Sequence, residues 1–211
     1  MSQEIRPTVY LVDDDSTVRV ALARALTAEG FETHTWESAD AFLAQHDAAA
    51  PGCVVTDIAM PGMSGLDLQR ELLARGCIRP IVFVTGHGNI RMSVQAMRAG
   101  AVTFLPKPVR AADLAQAVNE ALEKDRALRA AQARRATVES RLRALTVREK
   151  EVLTLVLAGR MNKQIAAELG AAEKTIKIHR GRVMNKMRVR SVAELVTLTS
   201  HIKDGGDARH L

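Results

Sequence analysis

Aromatic residues are scarce in this sequence: they make up 3% of 211 residues, so alanine, valine, leucine and methionine must fill the core. This composition favours helices and buried strands over a β-sandwich. The 2 cysteines, Cys53 and Cys77, are too few for a disulfide scaffold or a zinc site, and we expect reduced thiols. No run of about 18 apolar residues is present, which excludes a membrane-spanning helix. The first residues lack the apolar core of a signal peptide, so we expect a cytoplasmic protein.

The charge of the chain changes sign along its length. Residues 1–110 contain 10 basic and 12 acidic residues, whereas residues 111–211 contain 20 basic and 12 acidic ones. A basic segment of this kind is a candidate for binding a polyanion, most often nucleic acid. The hydrophobic fraction of 47% is enough for a sizeable core, and the length allows one or two domains.

Short apolar runs alternate with helical patterns through the first half of the chain. The predicted strands cover residues 8–12, 31–36, 53–55, 80–84 and 101–105. This alternation predicts an α/β fold, with a doubly wound, five-stranded parallel sheet of the flavodoxin-like type and helices on both faces. Functional sites in such folds lie beyond the carboxyl ends of the strands.

Polar side chains occur at four of these strand ends: Asp13, Asp14 and Asp15 after the first strand, Asp57 after the third, Thr85 after the fourth and Lys107 after the fifth. Carboxylates packed closely repel one another unless a cation lies among them, and a hard cation such as Mg²⁺ prefers oxygen ligands. A lysine at the same edge can pair with a carboxylate or bind a phosphoryl group. A threonine hydroxyl can donate a hydrogen bond to a phosphoryl oxygen.

Residues 113–142 contain no glycine or proline, and this composition predicts a helix about 45 Å long. We expect residues 1–112 to form the first domain, 113–143 a linker helix that continues its last helix, and 144–211 an all-α second domain. A coiled-coil dimer seam remains an alternative to a plain linker, because five apolar residues recur at 3-4-3 spacing with an interruption at Arg135: Leu128, Ala131, Val138, Leu142 and Leu145.

The second domain shows a pattern of short helices, predicted over 146–158, 162–169, 173–188 and 191–200. Thr146 and Glu149 have the spacing of a capping box. A helix, a turn at Gly170 and a basic helix together form a helix-turn-helix pattern. We expect the polar tail over 204–211 to be frayed.

The strand-end residues, over about residues 6–125, resemble a two-component receiver domain. The matching motifs are Asp13-Asp14-Asp15, Asp57 with Met60-Pro61-Gly62-Met63-Ser64-Gly65, Thr85-Gly86-His87 and Lys107-Pro108. The resemblance implies that Asp57 is the phosphoacceptor, with a phosphohistidine on a sensor histidine kinase as the donor. It also implies one Mg²⁺ ion, bound by Asp57, by Asp14 directly, by Asp13 through water and by the backbone carbonyl of Ala59.

Three further residues take roles from the same resemblance. Thr85 corresponds to the switch hydroxyl and Lys107 to the phosphate-binding lysine. Phe104 corresponds to the aromatic switch residue, and because it has no hydroxyl it can respond through packing only.

Residues 143–202 resemble the LuxR-type DNA-binding domain. The motifs are Leu145-Thr146, Glu149, Gly159, Asn162-Lys163-Gln164-Ile165-Ala166, Lys174-Thr175-Ile176-Lys177-Ile178-His179-Arg180 and Lys186-Met187. The resemblance implies binding to double-stranded DNA, with base contacts from Lys177, Ile178 and Gly181. The other implied DNA contacts are Lys163, Lys174, Thr175, His179, Arg180 and Arg182.

The last helix dimerises the DNA-binding domain in this family, and the corresponding residues here are Val192, Leu195 and Val196. Packing within the domain's own core remains the alternative for all three.

Together the two resemblances identify a response regulator of the FixJ/NarL type. They imply that phosphorylation of Asp57 switches homodimerisation and sequence-specific DNA binding to control transcription, with RNA polymerase as a further partner and no membrane. The chain is then not a dedicated enzyme. Two alternatives remain: a Mg²⁺-dependent phosphatase, in which a second aspartate is expected where Ala59 stands, and a permanently dimeric DNA-binding protein that works without phosphate.

Overall fold

The computed structural model of the chain describes residues 8–86 and 90–203. These residues form two compact units that divide between Arg129 and Ala130. His87 of the predicted motif and the predicted frayed tail over 204–211 lie outside the described residues.

The first unit contains a five-stranded parallel sheet with the order β2-β1-β3-β4-β5. Its strands are β1 (Thr8–Val12), β2 (Glu32–Trp36), β3 (Gly52–Thr56), β4 (Ile81–Thr85) and β5 (Thr103–Pro106). Its helices are α1 (Ser16–Ala28), α2 (Ala39–Gln45), α3 (Gly65–Ala74), α4 (Ile90–Arg98) and the first part of α5 (Ala111–Arg143). The strand order reverses direction beside β1, which confirms the predicted doubly wound fold.

The strands β3 and β4 are buried along their whole length. Successive side chains of a strand point to opposite faces of the sheet. The side chains of β3 and β4 therefore pack in two separate cores, one on each face. Val54 and Phe83 pack with side chains of α2, α3 and α4 on one face. Val55 and Val82 pack with side chains of α1 and α5 on the other.

Helix α5 is continuous from Ala111 to Arg143, yet its two ends pack in different cores. Leu114, Val118 and Leu122 lie in the core between the sheet and α1, and Val138 packs among the helices of the second unit. The two compact units divide within this helix, between Arg129 and Ala130, inside the segment 113–143 predicted as a linker helix.

The apolar stripe of α5 does not form one exposed seam. Val138 and Leu145 are buried in the core of the second unit, and Leu142 packs against it. Ala131 is exposed, and the apolar residues between positions 130 and 137 are all alanines. Three of the larger side chains of the proposed coiled coil, Val138, Leu142 and Leu145, thus pack within one chain, which favours the plain linker.

The second unit contains α6 (Val147–Leu157), α7 (Asn162–Glu168), α8 (Glu173–Met187) and α9 (Val192–Lys203). Ile176, Val183 and Met187 of α8 lie in its core. The chain turns after α7 at Gly170, whose φ of +60° lies in the left-handed region that favours glycine.

A buried glutamate joins the start of α6 to the end of α8. Glu149 is 2% exposed, and its carboxylate accepts hydrogen bonds from Thr146 N (2.9 Å) and Lys186 Nζ (2.6 Å). Thr146 in turn accepts a hydrogen bond from Glu149 N, which completes the predicted capping box. The bond from Lys186, and then that from Thr146, hold the pKa of Glu149 below its usual value.

We expect Glu149→Ala to lower the free energy of unfolding by about 2–3 kcal/mol at neutral pH, because it removes a cap and the partner of a lysine. Since the pKa of Glu149 is lower in the folded chain than its usual 4.5, this stabilisation is complete above pH 4.5 and is lost as the pH falls through the folded value. Urea unfolding over this pH range measures this stabilisation.

The control is Glu151→Ala, which removes a surface ion pair with Arg148 and should lower the free energy of unfolding by about 0.5 kcal/mol. Equal losses for the two variants would contradict the role assigned to Glu149.

Both cysteines are free and buried. Burial raises the pKa of Cys53 to about 12, so this thiol stays protonated and packs as a small apolar side chain. Among residues 8–86 and 90–203, no helix combines the length and apolar character needed to cross a membrane.

Candidate phosphoacceptor site and DNA-binding surface

Three of the predicted residues meet at the carboxyl edge of the sheet. Lys107 Nζ donates hydrogen bonds to Asp13 Oδ2 and Asp57 Oδ2, each at 2.7 Å. Asp13 and Asp57 are buried, whereas Asp14 is exposed. Oxygens of Asp13, Asp14 and Asp57 lie within 4.8 Å of one another. The residues after β1, β3 and β5 therefore form one acidic pocket.

The turn between β1 and α1 sets the position of Asp13. Asp15 caps α1, and its carboxylate accepts hydrogen bonds from Thr17 N (2.8 Å) and Val18 N (3.2 Å). The N–H of Asp15 donates to Asp13 Oδ1 at 3.0 Å. Both oxygens of Asp13 therefore accept a hydrogen bond, one from Asp15 and one from Lys107.

The loop after β3 sets the position of Asp57. Asp57 N donates to Val12 O at 3.0 Å, and Ala59 N donates to Asp57 Oδ1 at 3.1 Å. Gly65 begins α3, where a Cβ atom would lie 2.1 Å from Asp57 O. Only glycine allows this close approach, which explains why the loop motif ends on it.

The charges in the pocket are unequal, with three carboxyl groups around one ammonium. Burial raises the pKa of Asp13, against the hydrogen bond and charge of Lys107. Burial lowers the pKa of Lys107, but its hydrogen bonds to Asp13 and Asp57 outweigh this and keep the pKa above its usual value. Lys107 is therefore charged at neutral pH, and the oxygen-only donor set fits a small divalent cation.

Thr85 and Phe104 lie on the two strands beside the pocket. Thr85 is the last residue of β4 and is buried, and its carbonyl accepts a hydrogen bond from Lys107 N at 2.9 Å. Phe104 pairs with Phe83 in the sheet and is half-buried against the core formed with α2, α3 and α4. The peptide bond between Lys107 and Pro108 is cis.

The predicted DNA-binding residues give α8 a basic, solvent-facing side. The exposed ones are Lys163 on α7 and, on α8, Lys174, Thr175, Lys177, Ile178, Gly181 and Arg182. Ile178 is 49% exposed, and a Cβ atom at Gly181 would meet open space. The apolar side chain of Ile178 and the uncovered backbone at Gly181 thus lie among the basic side chains of α8. Ala172 occupies the N-cap position before α8, and its side chain cannot accept a capping hydrogen bond.

Two predicted DNA contacts are less accessible. His179 and Arg180 are half-buried. Arg180 Nη1 donates a hydrogen bond to Asn162 Oδ1 at 2.9 Å, so this guanidinium joins α7 to α8. The sequence pattern gives no sign of this bond within the domain.

The predicted dimerisation set needs one correction. Leu195 is fully buried in the core of its own unit, so it cannot lie on a dimer face. Val192 packs partly against the same core, and Val196 is exposed. Val192 and Val196 stay predictions.

A receiver-type sheet with an acidic pocket, followed by a helix-turn-helix unit, defines a regulator that combines a phosphorylation site with a DNA-binding domain. Family comparison agrees with this class. The response regulator receiver domain matches residues 9–119, and the LuxR family of bacterial regulatory proteins matches residues 143–199.

Relatives are similar over nearly the whole chain. Nodulation protein W of Bradyrhizobium diazoefficiens is 45% identical over 202 residues, which cover 96% of this chain and 88% of that protein. FixJ of Rhizobium meliloti is 40% identical over 191 residues, covering 90% and 94%. The structure of the response regulator StyR has a TM-score of 0.84 and 46% identity, covering 92% of this chain and 98% of that one.

The chain therefore belongs to the two-component response regulators with a LuxR-type DNA-binding domain, and it regulates transcription. Its receiver domain implies a sensor kinase as partner, and its LuxR-type domain implies binding to DNA.

Proposed function

We propose that phosphoryl transfer from a sensor histidine kinase to Asp57 switches homodimerisation and sequence-specific DNA binding. The contact of Lys107 Nζ with both Asp13 and Asp57, at 2.7 Å each, is the observation that carries this proposal. It places a positive charge next to the one carboxylate that follows β3. The same ammonium can pair with a phosphoryl oxygen once Asp57 is modified.

One Mg²⁺ ion is the cofactor. Its direct ligands would be Asp14, Asp57 and the carbonyl of Ala59. Asp14 is exposed beside the pocket, so its carboxylate is accessible to the ion. Asp13 would act through water, the role that the resemblance to receiver domains gives it. When bound, the ion screens the repulsion between Asp57 and an incoming phosphoryl group.

The side chains of the chain supply the transfer and its consequence. A carboxylate oxygen of Asp57 forms a bond to phosphorus, and the histidine nitrogen of the donor leaves with the electron pair of the broken bond. Thr85 then donates a hydrogen bond to one phosphoryl oxygen and Lys107 pairs with another. Phe104 moves into the space that the Thr85 side chain vacates, which remodels the surface of β5.

The output lies in the second unit. Lys177, Ile178 and Gly181 contact base edges in the major groove, because they are exposed on the helix that follows the turn. Phosphate contacts come from the surrounding polar and charged residues Lys163, Lys174, Thr175, His179, Arg180 and Arg182. The phosphorylated homodimer acts in the cytoplasm, with RNA polymerase as a further partner.

Binding of the full chain to a DNA site selected from a random-sequence pool tests this function. With Mg²⁺ present, we expect beryllofluoride, a phosphoryl mimic, to strengthen specific binding.

Lys177→Ala should weaken specific binding by about 1–3 kcal/mol and non-specific binding less, because a base contact is lost. The affinity of the parent chain should fall steeply with salt.

Lys150→Ala is the matched control for Lys177→Ala, because Lys150 is an exposed lysine of the same unit on α6. It should bind the selected site like the parent chain. Equal losses of specific and non-specific affinity in Lys177→Ala would reduce Lys177 to a phosphate contact. No response to beryllofluoride would count against the phosphorylation switch.

The phosphatase alternative receives no support from the residue two positions after Asp57. Ala59 places a backbone N–H on the Asp57 carboxylate and has no side-chain acid or base. We therefore propose that the chain accepts a phosphoryl group and is not a dedicated enzyme. Turnover of p-nitrophenyl phosphate by the full chain would contradict this assignment.

A further inference from the structure

An arginine of α1 contacts the backbone of the acidic pocket. Arg19 is half-buried, and its Nη1 donates hydrogen bonds to Asp13 O at 2.6 Å and to Asp14 O at 3.3 Å. Both bonds end on backbone carbonyls and neither on a carboxylate. The guanidinium thus contacts the peptide groups that carry two of the three pocket acids.

The turn after β1 is therefore fixed on more than one side. Asp13 is bound through its carboxylate by Asp15 N and Lys107 Nζ, and through its carbonyl by Arg19. For Asp14, whose side chain is exposed, the bond from Arg19 restrains the carbonyl of the residue itself. Fixing the peptide groups limits where the two carboxylates can lie.

We propose that Arg19 is a positioning residue that orients Asp13 and Asp14 for a divalent cation. The inference rests on the proposed function of the pocket. Outer residues that orient metal ligands change metal affinity by about 10–100-fold when they are replaced.

The charge of Arg19 acts in the opposite direction to its hydrogen bonds. A positive guanidinium on the turn that carries Asp13 and Asp14 repels a divalent cation bound there, so removal of the charge by itself would tighten binding. Loss of the bonds to Asp13 O and Asp14 O would loosen the turn and weaken binding. The sign of the change in affinity therefore separates positioning from charge.

Calorimetric titration of the full chain with Mg²⁺ measures this change. We expect Arg19→Ala to raise the Kd for Mg²⁺ about tenfold. Arg19→Lys keeps the charge but has a shorter reach, so its Kd should lie between those of the parent chain and Arg19→Ala. The matched control is Arg24→Ala on the same helix, an exposed arginine whose removal should change the Kd about twofold or less.

The melting temperature in EDTA separates a loss of overall stability from a loss of metal-ligand positioning. Arg19→Ala should melt close to the parent chain there, while its Kd rises. If Arg19→Ala does not fold, Arg19→Lys decides, and an unchanged Kd in it overturns the inference. Saturable Mg²⁺ binding by the parent with an equal or lower Kd in Arg19→Ala would overturn this inference alone. Absence of Mg²⁺ binding by the parent would overturn the proposed metal site as well.

Discussion

Asp57→Asn is expected to reduce phosphoryl incorporation from acetyl phosphate to background. An amide oxygen is a far weaker nucleophile than a carboxylate, so the bond to phosphorus does not form. The shape of the side chain is kept, but its single amide oxygen can accept one of the two hydrogen bonds that Ala59 N and Lys107 donate to separate oxygens of Asp57. Mass spectrometry of the intact chain, incubated with acetyl phosphate and Mg²⁺, measures the incorporation.

Asp113→Asn is the control for this experiment. Asp113 lies at the start of α5 and accepts two hydrogen bonds from Arg110, each at 2.7 Å, and it is not part of the cluster of Asp13, Asp14 and Asp57. This variant should incorporate one phosphoryl group, like the parent chain. Undiminished incorporation into Asp57→Asn would mean that another residue is the acceptor and that Asp57 has been assigned the wrong role.

Lys107→Ala is expected to lower the free energy of unfolding by about 3 kcal/mol in EDTA, because removing one partner of a buried ion pair leaves the other charge uncompensated. Here the ammonium serves both Asp13 and Asp57, whose side chains are 1% and 10% exposed. Mg²⁺ should restore a large part of this loss, since it supplies positive charge to the same carboxylates. Urea unfolding of the variant and the parent, each in EDTA and in Mg²⁺, measures both effects.

Lys124→Ala is the matched control, because Lys124 is exposed and donates to one backbone carbonyl, that of Gly100. It should cost about 0.5 kcal/mol, with no dependence on Mg²⁺. A Lys107→Ala chain as stable as the parent in EDTA would argue against the pocket described above. In function, Lys107→Ala should still accept a phosphoryl group on Asp57 but gain no DNA affinity.

The arrangement of the acidic pocket could be predicted because it follows from strand order. Asp13, Asp57 and Lys107 each come directly after a strand of one parallel sheet, and parallel strands end at the same edge. The caps at Asp15, Ser64 and Thr146 also depend on local sequence. Of these, Ser64 and Thr146 show the spacing of a capping box.

Contacts that depend on the path of the backbone could not be predicted. Arg19 and Arg24 look alike in the sequence, and only the direction of the Asp13 and Asp14 carbonyls distinguishes them. The division within α5 has no glycine or proline to mark it. Leu195 belongs to an apolar helix face, and the sequence does not tell whether such a face meets its own core or a second chain.

The molar mass of the full chain in solution tests the central claim, that modification of Asp57 switches dimerisation. Light scattering in Mg²⁺ should give the monomer mass of 23.0 kDa before beryllofluoride is added and twice that mass afterwards. The Asp57→Asn chain should stay at the monomer mass in both conditions. A parent chain that is dimeric before the addition would point to a permanent dimer, and one that stays monomeric after it would contradict dimerisation as the output of the switch.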